Sequence, residues 1–219
     1  LGCVSRYSHR IYRRHWLRRG VSTIPFYQWF SGTVPCGVLD PKRHPIIVAH
    51  HHGLFCCTAL VCVDFIPGSN TIFAVAPLLF YIPIFGWCLP FLGCIPATKG
   101  AMSKVCTRPD CTLLVYVGGV PELLTSERKG LFLSKRYGLF KLAVTQGQSV
   151  SAFIALNENE TYRRWHLPLF HWRLWLAWRW QLPVTVAWGY YGLLPYPVRL
   201  TYLLFPGMSG ADVLALKTS

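Results

Sequence analysis

Three consecutive histidines and a glycine, His50-His51-His52-Gly53, close the apolar tetrad Ile46-Ile47-Val48-Ala49. Imidazole is the side chain best suited to moving a proton near neutral pH, so the chemistry suggested is general-base catalysis. A base of this kind needs an acid to orient it, and acids are scarce: there are eight in 219 residues. Four of them, Glu122, Glu127, Glu158 and Glu160, stand shortly after apolar runs. A carboxylate at a neighbouring strand end can fix the imidazole tautomer and stabilise its protonated form while the ring takes a proton from a hydroxyl. Zinc is the alternative use of three histidines. Alternation along an extended segment, however, sends His51 to the face opposite His50 and His52, and the pair His166 and His171 has no C-x-x-C upstream. No metal is therefore expected. The plain alternative is a polar loop that happens to contain histidines.

The elements that must position these groups follow from pattern. Ile46 to Ala49, Ile72 to Ala76, Leu113 to Val117 and Val150 to Leu156 read as short buried strands, with Leu200 to Phe205 as a last one. Between them, Leu54 to Phe65, Ala101 to Cys106 and Tyr137 to Gly147 read as helices, and Val34 to Arg43 as a loop. Alternating strands and helices predict an α/β fold with a largely parallel sheet. Ligands of such sheets gather beyond the carboxyl ends of the strands, where His50, His52, Glu122, Glu158 and Glu160 all fall.

Composition points to a lipid surface. Hydrophobic residues make up 53% and charged residues 14%, and the net charge is +14. Such a chain is short of solvated surface and attracts anionic headgroups or phosphates. The 13 Phe, 11 Tyr and nine Trp favour an interfacial belt over a nucleic-acid surface, and no nucleic acid is expected as a partner. Trp172, Trp175 and Trp178 recur every three residues, as an interface stripe or a core face would. Residues 5–30 begin as a basic amphipathic helix, ending near Gly20, that would lie on an anionic membrane. From Thr71 to Ala97 there is no charge, but Pro77, Pro83, Pro90 and Pro96 interrupt the run. A strand followed by broken, membrane-facing turns is expected there, with a kinked spanning segment as the alternative. The nine cysteines form no C-x-x-C pair, and those in apolar runs, Cys88 and Cys94 among them, are read as buried thiols. The chain opens on Leu1 rather than Met, which leaves room for an anchor ahead of it.

The order of motifs resembles the type-2 diacylglycerol acyltransferase family, with its monoacylglycerol and wax-ester relatives. The family's H-P-H-G corresponds to His50-His51-His52-Gly53, and its glycine pair and glutamate to Gly118-Gly119-Val120-Pro121-Glu122. Its R-x-G-F block corresponds to Arg136-Tyr137-Gly138-Leu139, and E-N-E-x-Y to Glu158-Asn159-Glu160-Thr161-Tyr162. Lys99 stands where related enzymes place a phosphate-binding Arg, while His51 and Leu139 depart from the family's Pro and Phe. The H-x-x-x-x-D motif of glycerolipid acyltransferases is not met, since Cys57 follows His52 by five.

The resemblance implies a glycerolipid-acyltransferase-like mixed sheet with flanking helices and membrane-associated apolar segments. It implies a basic membrane-proximal segment at 1–45, an acyltransferase domain at 46–206 and a tail at 207–219. The implied activity is transfer of a fatty acyl group from acyl-CoA, a co-substrate rather than a cofactor, to diacylglycerol. The implied place is the endoplasmic reticulum membrane or a lipid droplet. His52 would be the base, supported by Glu122 and assisted by His50. Lys99, Arg136, Gly118, Gly119, Glu158, Asn159 and Glu160 would bind substrate, the glycines either offering N–H groups to an oxyanion or making a tight turn. A lysophospholipid, monoacylglycerol or wax-alcohol acceptor, and a non-catalytic membrane-binding relative, are the alternatives.

Overall fold

The structure, a computed structural model, describes residues 34–36, 46–50, 53, 70–108, 110–125, 137–192 and 194–209. In chain order the strands are β1 (Val34–Cys36), β2 (Ile46–Ala49), β3 (Asn70–Val75), β4 (Cys94–Pro96), β5 (Cys111–Tyr116), β6 (Ser149–Leu156), β7 (Arg163–Trp165), β8 (Val186–Trp188), β9 (Thr201–Leu204) and β10 (Met208–Ser209). The helices are α1 (Phe85–Cys88), α2 (Lys99–Cys106), α3 (Gly119–Thr125), α4 (Tyr137–Thr145) and α5 (Phe170–Trp180).

The main sheet runs β1-β9-β6-β2-β5-β3-β4, with β10 also on β6. From β6 to β4 every pairing is parallel, whereas β9 and β10 pair with β6 antiparallel. A largely parallel sheet must be covered on both faces, which is why its strands are apolar throughout rather than alternating. One face carries Ile47, Ala49, Phe73, Leu114 and Phe153, and packs on Leu79, Phe80 and Leu89 from the turns that follow β3. The other carries Ile46, Ile72, Leu113, Val115 and Val150, against Val105 and Cys106 of α2 and Leu139, Leu142 and Ala143 of α4. Leu114 at the centre is fully buried, and cutting it to Ala would cost about 2–5 kcal/mol.

Of the two readings of the uncharged run from Thr71, the structure shows the strand and broken turns rather than a kinked span: it makes β3, a 3-10 turn at Pro77–Tyr81, the four-residue α1 and the edge strand β4. Prolines limit each piece to a few residues. Among the described residues no helix is long and apolar enough to cross a membrane. Two other sequence expectations are corrected. Val34–Cys36, read as loop, is a strand paired in parallel with β9, a long-range partnership that local pattern does not disclose. Cys88 is exposed rather than buried, because the turn at α1 directs the next residue, Leu89, into the core; Cys94, Cys106 and Cys111 are buried free thiols. The expected helices, from residue 5 to near Gly20 and over 54–65, lie outside the described residues.

Candidate active site

Register brings the site together. Ile46 to Ala49 pair with Leu113 to Tyr116, and the ladder continues with Val117 N–H donating to the Ala49 carbonyl at 3.4 Å. On the other side His50 N–H donates to the Phe153 carbonyl at 3.2 Å. His50 is thus held as an extension of β2, level with the point where the chain leaves β5 through Gly118 and Gly119. Gly119 has φ of +61°, a conformation that L-residues disfavour, and the chain turns there directly into α3. Pro121 fits the first turn of a helix, where no intrahelical N–H is needed, and Glu122 follows it. A carboxylate in that position faces the positive end of the helix.

Glu122 is fully buried, and its Oε1 lies 3.3 Å from Nε2 of His50, whose side chain is 11% exposed. A buried carboxylate is costly unless an opposite charge or donors compensate it, and a protonated imidazole at this distance supplies the opposite charge. Nδ1 of His50 is buried as well. Gly53 lies against a second carboxylate-bearing residue, Glu158. It packs so closely that a Cβ on Gly53 would stand 2.7 Å from Cγ of Glu158 and 2.9 Å from its carbonyl oxygen. Glu158 is fully buried because Asn157, at φ of +66°, turns the chain inward after β6. The Thr161 hydroxyl closes that turn by donating to the Glu158 carbonyl at 2.6 Å.

The expected site residues therefore separate. His50, Glu122, Gly118 and Glu158 meet at the carboxyl ends of β2, β5 and β6. Asn159 and Glu160 are exposed, one turn further along. Lys99 is exposed at the start of α2, just after β4. A cation there opposes the helix dipole, so helix stability does not account for it. In the order β2-β5-β3-β4 its strand end is roughly 14 Å from that of His50, at about 4.8 Å per strand. Glu122 was expected to support His52; the described contact is with His50, and His52 and Arg136 lie outside the described residues. The Trp stripe resolves on α5, where Trp172 and Trp175 are exposed and Trp178 is half-buried, while Arg173 and Ala177 are buried. That is an outward apolar face, not a core one.

Sequence reasoning did not find the side of α3 away from this site. There α5 packs through Ala177 on Leu123 and Leu124, and Arg164 donates to the Leu123 carbonyl at 2.6 Å. The basic, Trp-rich stretch that supplies these groups was the one signal available.

The chain shares its fold with the crystal structure of the 1-acyl-sn-glycerophosphate (LPA) acyltransferase PlsC from Thermotoga maritima: the TM-score is 0.55, at 16% identity, over 94% of this chain and 77% of that one. The family model for diacylglycerol acyltransferase matches residues 6–191, and the chain belongs to that family. It is 26% identical to human 2-acylglycerol O-acyltransferase 3, over 74% of this chain and 54% of that protein. It is 29% identical to diacylglycerol O-acyltransferase 2A of Umbelopsis ramanniana, over 68% and 46%. With mouse acyl-CoA wax alcohol acyltransferase 2 the identity is again 29%, over 57% and 41%. The chain spans about half the length of the curated relatives it matches.

Proposed function

We propose that this chain carries the catalytic site of a membrane-associated O-acyltransferase that moves a fatty acyl group from acyl-CoA to the hydroxyl of diacylglycerol. The observation that carries the reading is the contact of His50 with the buried Glu122 at the ends of adjacent parallel strands. Both nitrogens of His50 are turned away from solvent in this arrangement, Nε2 onto Glu122 and Nδ1 into the protein. His50 and Glu122 therefore anchor the histidine turn, and His52, two residues on, is the base.

In the reaction the acceptor oxygen attacks the thioester carbon while His52 takes its proton. The new C–O bond forms, the C–S bond breaks, and the thiolate of CoA leaves and is protonated by the imidazolium. Lys99 and Arg136 meet the CoA phosphates, a role that suits cations on a basic surface. The apolar surface at Tyr81, Ile84 and Trp87 faces lipid, at the endoplasmic reticulum membrane or a lipid droplet.

The test is acyl transfer from labelled acyl-CoA in membranes expressing single variants at equal protein level. His52→Ala is expected to abolish product. His50→Ala and Glu122→Gln are expected to lower it by about ten- to a hundredfold each, the range of a positioning loss. Full activity in His52→Ala would remove that residue from the mechanism. Offering diacylglycerol, monoacylglycerol, a long-chain alcohol and a lysophospholipid side by side identifies the acceptor.

A further inference from the structure

Behind α3 lies a cavity of about 480 Å³ whose wall includes Leu124, Arg164, Trp165, His166, Phe170 and Arg173. Leu124 follows Glu122 by two residues, so at about 100° per residue it points to nearly the opposite side of α3. The cavity therefore lies on the side of α3 away from Glu122 and its contact with His50. Arg173 is the unusual member. It is 9% exposed, and its hydrogen bonds run from Nε to the Val184 carbonyl at 2.7 Å and from Nη1 to the Leu167 carbonyl at 2.9 Å. Among the described residues no carboxylate pairs with it. A guanidinium carries five N–H groups, and a full charge buried on neutral acceptors alone is poorly compensated.

The two carbonyls hold the guanidinium in a fixed plane at the wall, so an anion arriving there meets a fork already oriented. Arg164 adds a second guanidinium, and His166 stands at the exposed rim. The rest of the wall is Leu124, Trp165, Leu167 and Phe170, with one hydroxyl residue, Thr185. Cations on one part of a cavity and Leu, Phe and Trp on the rest match a molecule with an oxyanion at one end and a hydrocarbon body at the other. We propose that this cavity is a binding site for a single-chain lipid with an oxyanion headgroup, carboxylate or phosphate, seated on Arg173.

Dodecanoate and dodecyl phosphate carry the two headgroups on one chain, and dodecanol carries neither charge. Their binding is measured by equilibrium gel filtration on the full chain in neutral detergent micelles. One saturable equivalent of an anionic lipid is expected, with dodecanol failing to compete. Thr185→Trp, which fills the cavity and leaves both arginines in place, is expected to weaken binding by about tenfold or more, and Arg173→Met by at least as much. Preference for dodecanoate assigns the carboxylate source, and preference for dodecyl phosphate the phosphate one. His50→Ala binds normally, so this outcome is read independently of acyl transfer. Equal binding by wild type and a folded Thr185→Trp, or equal competition by dodecanol, overturns the proposal.

Discussion

Gly118 leaves the space that the carboxylate of Glu122 occupies: a methyl group on Gly118 would overlap Oε2 and Cδ of that side chain. The glycine pair after β5 thus has two distinct duties. Gly118 admits the acid, and Gly119 makes the left-handed turn into α3. Gly118→Ala is expected to displace Glu122 from His50, costing about 1–3 kcal/mol as an overpacked core position does, and to reduce acyl transfer to the level of Glu122→Gln. Gly138 is the control. It lies in α4 with nothing within 4 Å of its would-be Cβ and no unusual φ. Gly138→Ala should hold or raise stability by about 0.5–1 kcal/mol. Thermal melts of both variants, read beside activity, check the contrast. Equal melts would sink the claim that Gly118 makes room for the acid.

A second prediction concerns Glu158, which the sequence placed among substrate-binding residues. Its side chain is fully buried against Gly53, and the prediction is that it seats the chain there. Gly53→Ala would force a methyl against Cγ and the backbone oxygen of Glu158, and the backbone cannot give way as a flexible side chain can. The expected result is a kcat about tenfold lower or worse with KM for both substrates little changed, since only orientation is disturbed. A rise in KM with kcat intact would instead put Glu158 in contact with substrate.

How much of this was legible beforehand depends on how local each cause is. The strands Ile46–Ala49, Cys111–Tyr116 and Ser149–Leu156 announce themselves through dense β-branched and aliphatic runs, and their parallel order follows from the helices between them. That was enough to send a histidine and a glutamate to one edge of one sheet. The identity of the pair was not legible. Strand continuation at His50 depends on the Phe153 carbonyl, a hundred residues away. The helix of Glu122 was hidden because Gly-Gly-Val-Pro reads as a turn, and the burial of Glu158 because Asn-Glu-Asn-Glu reads as solvent-exposed. In both places one residue with positive φ, Gly119 or Asn157, redirects the chain, and composition carries no sign of the new direction. The cavity at Arg173 needs α5 packed on α3, which no pattern within either segment specifies.

Cys106 gives a pH-dependent prediction. Burial at the end of α2 pushes its thiol up from 9.0 to about 11, opposed in part by a backbone hydrogen bond. In the folded chain the sulfur stays protonated between pH 9 and about 11, while the unfolded chain has already lost that proton. The unfolded state then binds fewer protons, so this group's contribution to stability is intact below pH 9 and falls as pH rises through the window. Replacing Cys106 with Ala should flatten that part of the stability curve. Alkylation at pH 8 should label the exposed Cys88 well before Cys106, because the thiolate is the reactive form and access is required. Equal labelling rates in the folded protein would contradict this burial.

The uncharged stretch between β3 and β4 presents Tyr81, Ile84 and Trp87 at 82%, 72% and 74% exposure. Ile84 also has φ of +65°, a conformation that is rare for a β-branched residue and costs about 1–2 kcal/mol. A strained isoleucine held out in water gains nothing from folding alone, but the same side chain inserted among acyl chains recovers about 1.5–3 kcal/mol. The strain and the exposure therefore have one explanation if this turn enters lipid. Ile84→Asn relieves the backbone, since Asn tolerates the left-handed region, and removes the apolar group. It is expected to raise the melting temperature in detergent while reducing co-sedimentation with phospholipid vesicles by about tenfold, and Trp87→Ser should reduce co-sedimentation without the gain in stability. Vesicle binding unchanged in both variants would place the lipid-facing surface elsewhere, with the exposed Trp172 and Trp175 on α5 next to be substituted.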